Sequence, residues 1–437
     1  MRIAVHCLCI MMFCLASVQL HSAEPASYMV KQGDSLGKIA YMYLPLAAAY
    51  TNSEFVEQIK KANNIGNEGL SVGQVLTIPL VRTEPVRPVS VKRSRTFEAK
   101  GAYANQFTAG SRQVLAMGER LVKNGANTVV FDAKEVEGLP TYRSAVQRQY
   151  TGADTSSAAI DDISKLVDYL HRQGVHVVAR VCMFRDIHNS TRNEAWRFDK
   201  EWVNPASRAV QDYNLAVIRE LIGFGVDEIQ VDYFRYPADG KTHTGVEGKS
   251  RSDVLTEYAA RIHELTASKG VLLSLDMFGI VIWQKDEDIR ILGQDVMRFK
   301  DHFDIISPML YPSHFVKNFS GIQNPADEPY MFVHAGVKRM KALVGDRVVI
   351  RPWLQSFPLR VTIGYTPSYI KEQIRAAGDA GAVGWLLWSP GNKYAEAFRA
   401  LEDLAGKSRP TGVKTTQVTT GGVAPQVRTL QAPDRLP

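Results

Sequence analysis

From residue 97 to about 406, two kinds of apolar pattern take turns along the chain. Eight short β-branched or apolar runs predict strands near 97–103, 127–132, 175–182, 226–232, 271–278, 304–311, 347–354 and 382–388. After each comes a stretch with apolar residues three and four apart, such as DDISKLVDYLHRQG and YNLAVIRELIGFG, which predicts an amphipathic helix. Most of these helices stop at a glycine (Gly125, Gly174, Gly225, Gly270, Gly345, Gly381, Gly406), the residue best able to take the left-handed conformation of a C-terminal cap. Eight strand–helix alternations over about 300 residues predict an α/β fold, a (β/α)8 TIM barrel of parallel strands. An open doubly wound sheet would place a Gly-rich phosphate loop after its first strand, and the sequence has none.

The flanking segments follow other patterns. Residues 28–80 read as a small α+β module: a strand, a turn at Gly33-Asp34, a helix starting near Ser35, a second helix over 53–63, and a closing turn and strand in LSVGQVLTIPL. Residues 81–96 are rich in Pro, Val and Arg without apolar period, which predicts an extended, flexible linker. Residues 407–437, rich in Thr, Gly, Gln and Pro, read as a disordered tail. Residues 1–23 combine Arg2, an apolar run over 3–20 and small residues Ser22 and Ala23, the pattern of a secretory signal peptide. Export to the periplasm or cell envelope is therefore expected, with no transmembrane span after cleavage. The 437 residues suit one large and one small unit.

Charge and cysteine content narrow the picture. The formal net charge of +7 is concentrated outside the periodic region: residues 81–96 hold five Lys/Arg against Glu84, and 407–437 hold five against Asp434. A basic folded face for nucleic acid is not predicted. Cys7, Cys9 and Cys14 fall in the signal, which leaves Cys182 and no internal disulfide.

Barrel enzymes place their chemistry at the carboxyl ends of the strands. With period two, the inward residues there are Asp132 and Lys134; Arg180; Gln230 and Asp232; Ser274 and Asp276; Ser307 and Tyr311; Arg351, Trp353 and Gln355; and Trp388. Charges in one layer are costly unless paired or used, so they predict either a site or an ion network closing the barrel. The histidines show no HxH or HExxH spacing, so no metal or cofactor is expected. No serine elbow is present either. Paired carboxylates with aromatic platforms remain, the requirement for glycoside hydrolysis. Candidate platforms are Trp196, Trp202, Tyr233, Tyr236, Tyr311, Trp353 and Trp388, with Trp385 expected in the core.

Two resemblances add to this reading. VKQGDSL and VGQVLTIP make residues 28–80 resemble the LysM module, which binds N-acetylglucosamine-containing glycans; relative to it the chain carries an insertion near 44–52. The resemblance implies attachment to peptidoglycan or a chitin-like glycan, independently of catalysis. Residues 97–400, through NTVVFDAKEVEGLPTY, VVARVCMFRD, GFGVDEIQVDYFRYP, SLDMFG, DIISPMLYPSH, RPWLQSF and GWLLWSPGN, resemble a bacterial family of glycoside-hydrolase-like barrels of unknown function. DEIQVDYFRYP is similar to the fourth-strand motif of retaining glycosidase barrels, which implies that Asp232 is the nucleophile and Asp276, one strand over, the acid/base. Glu135 is the reserve acid. Asp132, Lys134, Arg180, Arg235, Tyr311, Arg351, Trp353, Gln355 and Trp388 are the expected substrate-binding residues, with Arg180 and Arg351 holding one carboxylate ionised. The expected substrate is an envelope or exported polysaccharide. A barrel that grips glycan without cutting it, and a lyase or transglycosylase with the same carboxylates, are the alternatives.

Overall fold

A computed structural model describes residues 24–66, 69–238 and 248–407. The predicted signal peptide and nearly all of the tail lie outside the described residues.

The N-terminal module pairs β1 (Ala26–Met29) antiparallel with β2 (Val75–Ile78). Between them run α1 (Leu36–Tyr43) and α2 (Asn52–Ala62). Ser35 and Thr51 cap them, each side chain accepting a backbone N–H three residues on. Ile39, Phe55, Ile59, Leu76 and Ile78 form a core of the module's own.

The large unit is the predicted barrel. Strands β3 (Lys100–Ala104), β4 (Thr128–Lys134), β5 (His176–Cys182), β6 (Glu228–Asp232), β7 (Leu272–Met277) and β8 (Ile305–Leu310) pair in parallel in chain order. The seventh position is split into β9 (Val349–Ile350) and β10 (Trp353–Gln355), because Pro352 has no N–H for the ladder. β11 (Trp385–Trp388) pairs with both β10 and β3, and β10 with β8, so the sheet closes. Six of the predicted glycine stops, 125, 174, 225, 270, 345 and 381, have positive φ. Gly406 does not end its helix, which runs over Ala395–Lys407.

Two connections differ from the sequence reading. Residues 81–96 form no helix or strand, yet they are not a loose tether. They cross the floor of the barrel, where helices return to strands. The Val91 N–H donates to Asp227 Oδ1 at 2.6 Å, and Arg95 donates to the carbonyls of Arg347 and Asp346. Pro88 lies so close over Gly225 that a Cβ there would meet its carbonyl oxygen at 2.5 Å. The module, in turn, is docked on the barrel through its insertion. Buried Lys165 donates to the carbonyls of Ala47 and Ala49 at 2.8 and 2.6 Å, and Tyr169 to that of Ala48 at 2.6 Å. Tyr50 reaches the Ala109 carbonyl, Asn52 N–H donates to Asp161, and Arg112 pairs with Glu54 at 2.8 Å. The module is thus seated against the barrel and not held apart from it by a flexible linker.

Candidate active site

The inner faces of the strands carry polar residues in two layers. The lower one is closed. Glu228 accepts from Arg351 Nη1 at 2.8 and 3.0 Å and meets His176 Nε2 at 3.0 Å, all three fully buried. Burial alone would raise the Glu228 carboxyl, but Arg351 and then His176 outweigh it and bring it down to about 2. Arg351 therefore does not reach the mouth as predicted. Period two shows that a residue points inward, not how deep in the barrel it sits.

The upper layer is organised by Arg180. Its Nη1 donates to Asp132 at 2.5 Å, and its Nε and Nη2 donate to Asp232 Oδ2 at 3.0 and 2.6 Å. Asp276 Oδ2 lies 3.7 Å from the same Nε, and Glu135 3.5 Å from Nη1. Sharing one nitrogen at 3.0 and 3.7 Å, the facing oxygens of Asp232 and Asp276 can be no farther apart than the two distances laid end to end, about 6.7 Å.

The two carboxyls differ in environment. Asp232 takes the Arg180 fork on one oxygen and the Tyr233 N–H on the other, at 2.5 Å, partners suited to a group with only lone pairs to offer. Asp276 is pushed well above the usual carboxyl range, first by burial and then by the charge of Asp232, against Arg180 and the Trp353 hydrogen bond. Trp353 Nε1 donates to Oδ1 of Asp276 at 2.6 Å, while Oδ2 has no hydrogen-bond partner among the described residues. Asp132 is also raised by burial, and Tyr103 donates to it. Glu135 is pushed up to about 8 by burial, by its hydrogen bond with Glu137 and by Asp132. Glu137 is lowered by the same bond, so the pair shares one proton.

Above this layer opens a cavity of about 550 Å³. Of the predicted site residues, Asp232, Asp276, Arg180, Arg235, Tyr311, Trp353 and Trp388 line it. Asp132 stands behind Arg180. Lys134 does not belong to the site: a register shift after Asp132 turns it onto buried Asp186 at 2.8 Å and the Cys182 carbonyl. Gln355 is also elsewhere, holding two loops together by accepting from Ser313 N–H and donating to the Phe357 carbonyl. Trp196 and Tyr236 are buried against Tyr213 and Phe198 and do not line the cavity; Trp385 is in the core, as expected.

Several residues that line the cavity or pack on its wall escaped the sequence reading. Tyr103, stacked on Trp388 with ring centroids 4.0 Å apart, was findable by extending period two to the first strand. Phe278, in phase with Ser274 and Asp276 at the end of the predicted fifth strand, was findable in the same way, whereas Phe315 and Phe319 come from a segment beyond the strand ends, where no periodicity marks them. Among the described residues, no group of three or more His, Cys, Asp or Glu is placed to hold a metal ion.

Comparison with known proteins agrees with this architecture. Among solved structures, the glycoside hydrolase domain of PgaB (BpsB) from Bordetella bronchiseptica is 12% identical over 70% of this chain and 98% of its own, with a TM-score of 0.51, which shows a shared fold. A hypothetical protein from Ruminiclostridium thermocellum is 26% identical over 40% of this chain and 96% of its own, with a TM-score of 0.36. The Bacillus cereus spore cortex-lytic enzyme SleL is 13% identical over 86% of each chain, with a TM-score of 0.43. No curated protein matches the chain. Residues 28–79 match the LysM domain. With the closed barrel and its acidic mouth in place, residues 101–394 match the family described as "Putative glycosyl hydrolase domain", and the chain belongs to that family.

Proposed function

We propose that the protein is an exported, retaining glycoside hydrolase acting on a cell-envelope or exported polysaccharide, with Asp232 as nucleophile and Asp276 as acid/base. The observation that carries this reading is the meeting of Asp232 and Asp276 on one Arg180 nitrogen at the wall of a single aromatic-lined cavity. Retaining enzymes need carboxyls about 5–5.5 Å apart, and inverting ones about 6.5–9.5 Å to admit a water. The upper bound of about 6.7 Å favours the first.

Asp232 attacks the anomeric carbon and forms a glycosyl–enzyme ester. Asp276, kept protonated by burial, gives its proton to the leaving oxygen and then takes one from the incoming water. Because Trp353 occupies Oδ1, the proton to be delivered belongs on Oδ2. Arg180 holds Asp232 in place, and Tyr311 and Trp388 offer faces for sugar stacking. The LysM module places the barrel on peptidoglycan or a chitin-like glycan.

The test is release of reducing ends from purified envelope glycans, exported polysaccharides and chitin. Wild type should release them and Asp232→Asn should not. Equal release by both proteins, or none by wild type on any of these, rejects the reading. A second donor has one observation in its favour: Glu135 is also protonated near neutrality and lies 3.5 Å from Arg180.

A further inference from the structure

Three of the buried cations among the barrel's strands have carboxylate partners: Lys134 has Asp186, Arg351 has Glu228, and Arg180 has Asp132 and Asp232. Arg235 differs. It lines the cavity and is half-buried, yet no described carboxylate lies within 4.0 Å of its guanidinium. Its side chain donates from Nη1 to the Tyr236 carbonyl at 3.0 Å. The group lies over the rings of Trp202 and Phe278, at 4.9 Å each, and of Tyr233 at 5.5 Å. A guanidinium carries five N–H donors in a planar fork, and rings can hold such a plane without satisfying its donors.

The backbone also contributes. Tyr233 has a φ of 49°, a left-handed conformation that is costly for a bulky side chain. This turn directly follows Asp232 and brings Asp232 and Arg235, three residues apart, to the same cavity. Asp232 acts on Arg235 only from beyond ion-pair distance, and a cation with no carboxylate in direct contact is suited to an anion that arrives with the ligand.

We propose that Arg235 recognises the carboxylate of an acidic sugar bound beside the bond that Asp232 attacks, so that the substrate is an anionic glycan. The placement of the sugar rests on the glycosidase reading; recognition of the anion does not. Such a carboxylate belongs either to the ring, as in a uronic acid, or to a lactyl ether, as in N-acetylmuramic acid.

Two ligand pairs distinguish these sources: oligogalacturonate with its carboxyl-reduced form, and N-acetylglucosamine–N-acetylmuramic acid strands with theirs. Binding is titrated by tryptophan fluorescence on the mature chain carrying Asp232→Asn, which leaves the glycan uncut. All six tryptophans lie in the barrel and none in residues 28–80, so the signal reports the barrel. In at least one pair the acidic member should bind about ten- to hundred-fold more tightly than the reduced one. That preference should collapse in Arg235→Gln and survive in part in Arg235→Lys, which keeps the charge but not the fork. Matching melting temperatures exclude misfolding as the cause. Equal affinities within both pairs, no binding at all, or a preference that survives Arg235→Gln overturns the proposal. An Arg235-dependent preference for a glycan that the protein with Asp232 intact does not cut would instead reject the glycosidase reading and leave the anion site standing.

Discussion

The floor and the mouth of this barrel are both filled with charge, and they differ in balance and access. At the floor, Glu228, Arg351 and His176 meet in a fully buried cluster, and Asp227 below accepts from both Val91 and Val177 N–H. At the mouth, Arg180 faces Asp132, Asp232 and Asp276, more carboxyls than one cation can match, under a cavity of about 550 Å³. A balanced, sealed cluster has the features of a structural ion network. An unbalanced, accessible one sets a carboxyl pushed well above its usual range near another that accepts from Arg180, which is the division that acid–nucleophile chemistry uses. Inward-facing charge by itself does not separate the two cases.

Mutations on each side should break this comparison in opposite ways. The largest effect is expected at the mouth. Asp232→Asn keeps the side-chain volume, so the melting temperature should move by no more than a few degrees while kcat falls by on the order of 10⁴. A parallel loss of stability would make Asp232 structural.

At the floor the order reverses. Arg351→Met strands a buried carboxylate and should cost about 3–5 kcal/mol in denaturant unfolding, while KM of the folded fraction is unchanged. Adding Glu228→Gln should recover part of that loss. The acid dependence has a definite sign. The folded Glu228 carboxyl sits at about 2, below its unfolded value, so its contribution is present above the ordinary carboxylate range and is lost as pH falls towards 2. The double variant should show a flatter decline on the acid side.

A smaller effect concerns the docked module. Deleting residues 24–80 uncovers Lys165 and Tyr169 and removes their carbonyl acceptors, so the barrel's midpoint should drop by roughly 5 °C. An unchanged midpoint would show that the docking contributes nothing to the barrel.

The smallest effect sharpens the choice of proton donor. Activity that needs a protonated carboxyl falls as pH rises through that group's pKa. With Asp276 as donor, Glu135→Gln should change kcat by less than about tenfold and preserve the alkaline limb. A limb near pH 8 that vanishes in Glu135→Gln would transfer the role to Glu135.

Much of this was legible in the chain. Barrel strands alternate strictly, so Asp232, Asp276, Arg180 and Trp353 could be placed at the mouth by counting from apolar neighbours. The count failed at Lys134, where the register shifts, and at Arg351, where depth depends on the stagger of neighbouring strands. The part of the aromatic wall from Phe315 and Phe319 lies beyond the strands and carries no period. The docking of the module was illegible for another reason. Two surfaces must match, and neither the insertion at 44–52 nor Lys165 declares its partner within its own segment.

The segment across the floor has a consequence for how the chain is assembled. Val91 meets Asp227, 136 residues away, and Arg95 meets the Arg347 carbonyl, 252 residues away. Contacts of that separation carry a large loop-closure cost and cannot form before their partners are in place. A segment synthesised before any barrel strand is therefore seated only after most of them have closed. Its protection from protease marks a finished barrel, and its cleavage marks a chain still incomplete at the seventh strand.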